Sequence, residues 1–212
     1  MLSANVFVTL VMMALYKCER VYNASTIAPK GDLLTVISAP EVVNTTREEQ
    51  LQAYLLSAVT LSDVERVETL LHAGAVISNS PAEEFVQIPL MVASWGNATD
   101  IVRMLLDSGA DPNVRDTKFR FSALHYAAQN GNIEIAELLL NKGANIEAAN
   151  IGGATPLLTA IWWDRQNFVE FLLNRGANVN ARTNSGYTAP QIAGRHGSNS
   201  IARLLAARNR RN

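Results

Sequence analysis

A Gly-Ala pair recurs along this chain at Gly74-Ala75, Gly109-Ala110, Gly143-Ala144 and Gly176-Ala177, at intervals of 35, 34 and 33 residues. A Leu-Leu pair stands two residues before each: Leu70-Leu71, Leu105-Leu106, Leu139-Leu140 and Leu172-Leu173. A second, shorter apolar block lies further upstream in each unit, as in Leu55-Leu56-Ser57-Ala58, Pro89-Leu90-Met91-Val92-Ala93 and Ala123-Leu124-His125-Tyr126-Ala127-Ala128. A period of this length and regularity excludes one closed globular core. It requires a row of small units, each burying its apolar face on its neighbours.

The stretch from Ser122 to Gly143 shows what one unit folds into. Leu124, Ala127 and Ala128 occupy i, i+3 and i+4, one face of a short helix. Asn130-Gly131 breaks that helix. Ile135, Leu138 and Leu139 then form the apolar face of a second helix, which Gly143 ends by taking positive φ. Small residues at Ala127 and Ala128 let helices approach closely. Neither helix is long enough to be stable alone in water, so stacking supplies the stability.

These units resemble the ankyrin-repeat family. The resemblance rests on Gly153-Ala154-Thr155-Pro156-Leu157 with Gly176-Ala177-Asn178-Val179-Asn180, and on Ala123 to Ala128 with Asn130-Gly131-Asn132. Gly109-Ala110-Asp111-Pro112-Asn113 matches the family's loop after the outer helix. Pro89 to Gly109, Ala123 to Gly143 and Pro156 to Gly176 each span 20 residues, so register holds through three units. The resemblance covers residues 55–207 and implies an all-α, ankyrin-repeat solenoid of stacked helix-turn-helix units with short β-turn fingers. Only Thr155-Pro156 keeps the family's Thr-Pro pair, and only His125 keeps its His, whose role there is to hydrogen-bond neighbouring turns. The predicted units run from about 46 to 80, 81 to 116, 117 to 149, 150 to 182 and 183 to 212, the first and last serving as caps.

The first 45 residues are of another kind. Leu2 to Tyr16 holds no charged residue and is apolar all round a helix. At about 1.5 Å per residue it reaches roughly 22 Å, short of a ~30 Å hydrocarbon core. That length suits a signal-peptide core better than a stable span. Residues 1–24 are therefore read as a leader, residues 25–45 as a linker, and the chain is expected to be exported. The alternative is a membrane-tethered cytosolic adaptor, because Lys17 and Arg20 follow the run and would hold the rest in the cytosol. Sequons stand at Asn23, Asn44 and Asn97, but this Asn-, Ser- and Thr-rich composition yields roughly two by chance, so they do not argue for secretion.

Charge and chemistry narrow the function. The chain balances 18 Lys+Arg against 19 Asp+Glu, which excludes a whole-chain field for nucleic acid. The single Cys18 excludes an internal disulfide framework. His72, His125 and His196 lie in different units without metal-ligand spacing. No nucleophile stands at helical spacing from a base. The expectation is a monomeric, non-enzymatic chain without cofactor or metal that binds a protein, with an effector or toxin activity as a remote alternative.

The resemblance implies that partners dock on the concave face, made of finger tips and inner helices. The positions after the small-residue pair point there: Trp95 with Gly96, Gln129 with Asn130, Trp162 with Trp163, and Arg195 with His196. Trp162-Trp163 stands where most units place polar residues, and exposed Trp and Arg are typical of binding hot spots. The competing reading packs one of the two on the neighbouring inner helix. The fingers add Arg115, Arg120, Phe121, Ile151, Arg182, Asn184 and Tyr187 as candidate contacts. Arg115, Lys118 and Arg120 make a basic tip suited to an acidic partner, or else a solvated turn.

Overall fold

The computed structural model describes residues 47–77, 88–196 and 198–209. The leader, the linker, the sequons at Asn23 and Asn44 and the finger ahead of Pro89 lie outside the described residues. Residues 51–212 form one compact unit, and the first turn of the first helix falls to the separate unit 1–50.

Ten helices occur among the described residues, alternating inner and outer. The inner set is α1 (Arg47–Thr60), α3 (Pro89–Trp95), α5 (Ala123–Asn130), α7 (Pro156–Trp162) and α9 (Ala189–Arg195). The outer set is α2 (Val64–His72), α4 (Thr99–Asp107), α6 (Ile133–Asn141), α8 (Gln166–Asn174) and α10 (Asn199–Asn209). Helices α3, α5, α7 and α9 stack on one another in that order, and each also packs on its own outer partner. The fold is an ankyrin-repeat solenoid.

Side chains explain the stack. Leu124, Ala127, Ala128, Ile135, Ala136 and Leu139 are fully buried in the middle unit, and Phe168, Val169 and Leu172 repeat the outer pattern on α8. Leu138 is only half-buried. Ala136, four residues after Asn132, takes the core-facing place that the spacing reading gave to Leu138. Pro89 and Pro156 begin α3 and α7, where a missing N–H costs nothing. Asp63 and Asn132 cap α2 and α6 by accepting Arg66 N–H at 3.1 Å and Ile135 N–H at 2.9 Å.

Two turns per unit use the left-handed region. Between inner and outer helix it is Ser62, Asn97, Gly131 and Asp164, with φ of 55°, 61°, 78° and 54°. Glycine stands there in only one of these units, and Asn and Asp tolerate the conformation. After the outer helix, Gly143 takes φ 86° and sends the chain into the next finger. At the last outer helix, Arg208 donates to Leu173 O at 2.7 Å and to Asn174 Oδ1 at 3.1 Å, satisfying the carboxyl end of α8. No helix among the described residues is long and apolar enough to cross a membrane.

Candidate functional site

The fingers are braced by polar side chains. Asp116 accepts three backbone N–H groups, from Lys118 at 3.0 Å, Phe119 at 2.6 Å and Phe121 at 2.7 Å. That closes the third finger onto an isolated antiparallel bridge between Arg115 and Ser122. Backbone bonds then link finger to finger: Ile151 N–H donates to Phe119 O at 2.8 Å, and Asn184 N–H to Gly152 O at 2.9 Å. Gly153 is required here. It takes φ 77°, and a Cβ would stand 2.6 Å from the Asn184 backbone nitrogen.

His125 ties the fingers to the inner helices. Ser122 N–H donates to its Nδ1 at 3.1 Å, so Nε2 carries the proton and donates to Ala154 O of the next unit at 3.1 Å. This is the turn-bridging role the resemblance implied. Burial lowers its pKa to about 4, against smaller upward effects of the Ala154 bond and Asp116. His125 therefore stays neutral at neutral pH. Burial pushes the neighbouring Tyr126 phenol upward, and Asp116 adds to that.

The inner-helix ends form two rows across the units. In the first row Trp95 and Gln129 are half-buried, Trp162 is 55% exposed and Arg195 is exposed. In the second row Asn130, Trp163 and His196 follow Gly96 in register. Second-row side chains reach back to the unit before. Asn130 Nδ2 donates to Trp95 O at 2.8 Å and Ser94 O at 3.2 Å, carbonyls at the end of α3. The His196 ring meets Trp162 at 4.4 Å between centroids and 60° between planes. Arg165 likewise donates to Gln129 O at 2.8 Å.

The predicted contact residues therefore divide. Trp162, Arg195, Arg120 and Ile151 present side chains to solvent, Ile151 at 60% exposure. Asn130, Phe121 and Asn184 are occupied within the stack. Phe121 packs against His125 at 5.1 Å and Tyr126 at 5.5 Å, and Asn184 Nδ2 donates to Ile151 O at 2.9 Å. Arg115 donates to Ala149 O at 3.3 Å and Arg182 to Gly186 O at 3.5 Å. Tyr187 is half-buried beneath the Arg195 guanidinium, 4.1 Å from its ring centroid. Of the two tryptophans, Trp162 is exposed and Trp163 is half-buried. Spacing within the repeat does not single out Asp116, the organiser of the third finger, or the ring contact of His196. Asp116 precedes Thr117 and Lys118 in a turn, a weak signal that was available. Among the described residues no His, Cys, Asp and Glu side chains group to hold a metal.

Comparison with known proteins bears on this arrangement. Residues 90–183 match the family model for ankyrin repeats in three copies. These residues are ankyrin repeats. The chain is 35% identical over 98 residues to the ankyrin repeat and KH domain-containing protein mask-1 of Caenorhabditis elegans, covering 46% of this chain and 4% of that protein. It is 35% identical over 107 residues to the putative ankyrin repeat protein FPV031 of Fowlpox virus (strain NVSL), covering 50% of this chain and 31% of the relative. Over 70 residues it is 40% identical to palmitoyltransferase ZDHHC17 of Danio rerio, covering 32% of this chain and 11% of that enzyme. The chain thus spans less than a third of each of these relatives. Ankyrin repeats are in general protein-binding modules and generally not enzymes.

Proposed function

We infer that this chain is a non-enzymatic binding module that captures a protein partner on its inner-helix row and fingers. The observation that supports this most is Trp162. A large aromatic ring more than half exposed is unusual unless a partner covers it. Its ring packs on His196 of the next unit, whose Arg195 lies over Tyr187. The relatives attach their repeats to different partners in the chain, a KH domain in one name and a palmitoyltransferase in another, so the shared stretch is not bound to one reaction. In a pull-down, Trp162→Ala with Trp163→Ala abolishes partner capture while the helical circular dichroism stays unchanged. Unchanged capture refutes this surface. Export, a separate proposal, rests on the uncharged stretch from Leu2 to Tyr16. Amino-terminal sequencing tests it, and an intact Met1 on soluble protein contradicts it.

A further inference from the structure

We propose that Asn130 is a site of spontaneous hydrolytic modification, shielded while the units are stacked and reactive when they part, whose carboxylate product keeps the junction from closing again. The inference does not depend on what the docking face binds.

Asn130-Gly131 is the only Asn-Gly pair in the sequence. Such a pair has a reaction of its own. The Gly131 nitrogen attacks Asn130 Cγ and closes a five-membered imide. The Cγ–Nδ2 bond breaks, and the Gly131 proton leaves with the amide group as ammonia. Water then adds to one of the two imide carbonyls and opens the ring. The product is aspartate, or isoaspartate with the main chain routed through the side chain. Water is the only co-reactant, and nothing is oxidised or reduced. Glycine favours the first step because no Cβ hinders its nitrogen and its backbone turns freely.

In the folded chain both reacting groups are held. Asn130 is the last residue of α5, and Gly131 N–H donates to Ala127 O at 2.8 Å. Asn130 Nδ2, the leaving group, donates to Trp95 O at 2.8 Å and to Ser94 O at 3.2 Å. The carboxamide is therefore anchored to the second unit, while the nitrogen that must attack it is fixed within the third. The same short stretch carries the junction to the fourth unit. Arg165 Nε donates to Gln129 O at 2.8 Å, and Arg165 Cδ lies 3.0 Å from where a Cβ on Gly131 would stand. Residues 129–131 thus hold contacts with the units on both sides.

The product does not fit this place. Aspartate at position 130 replaces a donor by an acceptor that faces two carbonyl oxygens, and it sets a negative charge at the carboxyl end of α5. Isoaspartate adds a methylene to the main chain between α5 and Asn132, the residue that caps α6. Contacts in a repeat array run between neighbours, so a fault here divides the stack between its second and third units. Local opening exposes the pair, and an opened form that has reacted no longer returns to the original stack.

The test incubates the full chain in mildly alkaline buffer, with and without denaturing urea, and maps its peptides by mass spectrometry over time. Conversion is read as the mass gain of NH2 replaced by OH, with ammonia released in step. In urea, Asn130 is expected to convert faster than any other asparagine of the chain. In the folded chain it is expected to convert about tenfold or more slowly than in urea. The urea midpoint of the folded chain should fall as the product accumulates. Asn130→Gln, which can close only a slower six-membered ring, should hold its starting midpoint through the same incubation. Asn130→Asp should have a lower midpoint than Asn130→Ala, which loses the same bonds without gaining a charge. Equal rates at Asn130 with and without urea overturn the proposal, as does faster conversion at another asparagine in urea. An Asn130→Asp chain as stable as Asn130→Ala overturns it too. Where a variant does not fold, the two rates in the parent chain and the drift of its midpoint decide.

Discussion

The outer helices and the inner-helix ends of this chain are built from the same repeat, yet they treat their polar side chains in opposite ways. On the outer side, charged groups of one unit are answered by charged groups of the next, as in Arg175 with Glu137 and Arg103 with Glu134. On the inner side, backbone needs are met by neutral or committed groups, Asn130 on the end of α3 and Asp116 within its finger. Arginine and Trp162 are left facing solvent. The outer surface pairs three cations across units, while the inner surface leaves Trp162 and Arg195 exposed. In a quasi-one-dimensional stack both surfaces share one core, so the two can be perturbed separately only by changes outside it.

The largest effect is expected where the sides are not separable. Phe168 is fully buried on α8, and Phe168→Ala is predicted to cost about 4 kcal/mol by loss of transfer energy and cavity formation, read as the shift in urea midpoint. Binding would fall with stability, because unfolding spreads through neighbouring units.

Acid separates them next. His125 has a native pKa of about 4 against an ordinary 6.5, so the unfolded chain takes up a proton that the folded chain refuses. The stabilising contribution is whole above pH 6.5 and is lost as pH falls from 6.5 to 4, by about 3 kcal/mol in all. Urea unfolding across that range should show this fall, and His125→Asn should lack that component. An identical slope in the variant would contradict the neutral, inward-bonded histidine. Asp116→Ala removes the acceptor of three N–H groups and should cost about 2 kcal/mol, with faster hydrogen exchange at Lys118, Phe119 and Phe121. Smallest is Glu137→Gln on the outer side, within about 0.5 kcal/mol of the parent, because that pair is exposed and screened.

Much of this arrangement is legible in the amino-acid sequence. The Gly-Ala register located the ends of the outer helices, since a left-handed turn at that place asks for glycine. The small pair Ala127-Ala128 marked the inner helix that must lie close to its neighbours. His125 was recognised through its setting in the repeat. The contact residues were harder because their roles depend on groups 33 to 36 residues away. Asn130 has the exposed-looking position of a contact residue, but the carbonyls of Ser94 and Trp95 at the end of the preceding inner helix lie within its reach. Asn184 is drawn down by Ile151 O in the same way. Spacing within one unit carries no information on such bonds between units. The turn positions Ser62, Asn97 and Asp164 were not legible either, because no glycine announces their positive φ.

The most direct test sets the two sides against each other with one partner. The affinity of the captured partner is measured for the parent, for Trp162→Ala with Trp163→Ala, and for Glu137→Gln, with thermal unfolding followed in parallel. The inner-face variant should lose about tenfold or more in affinity with helical content unchanged, and the outer-face variant less than about twofold. An inner-face variant that binds like the parent, or an outer-face variant that loses binding while folded, would contradict the assignment of the docking surface.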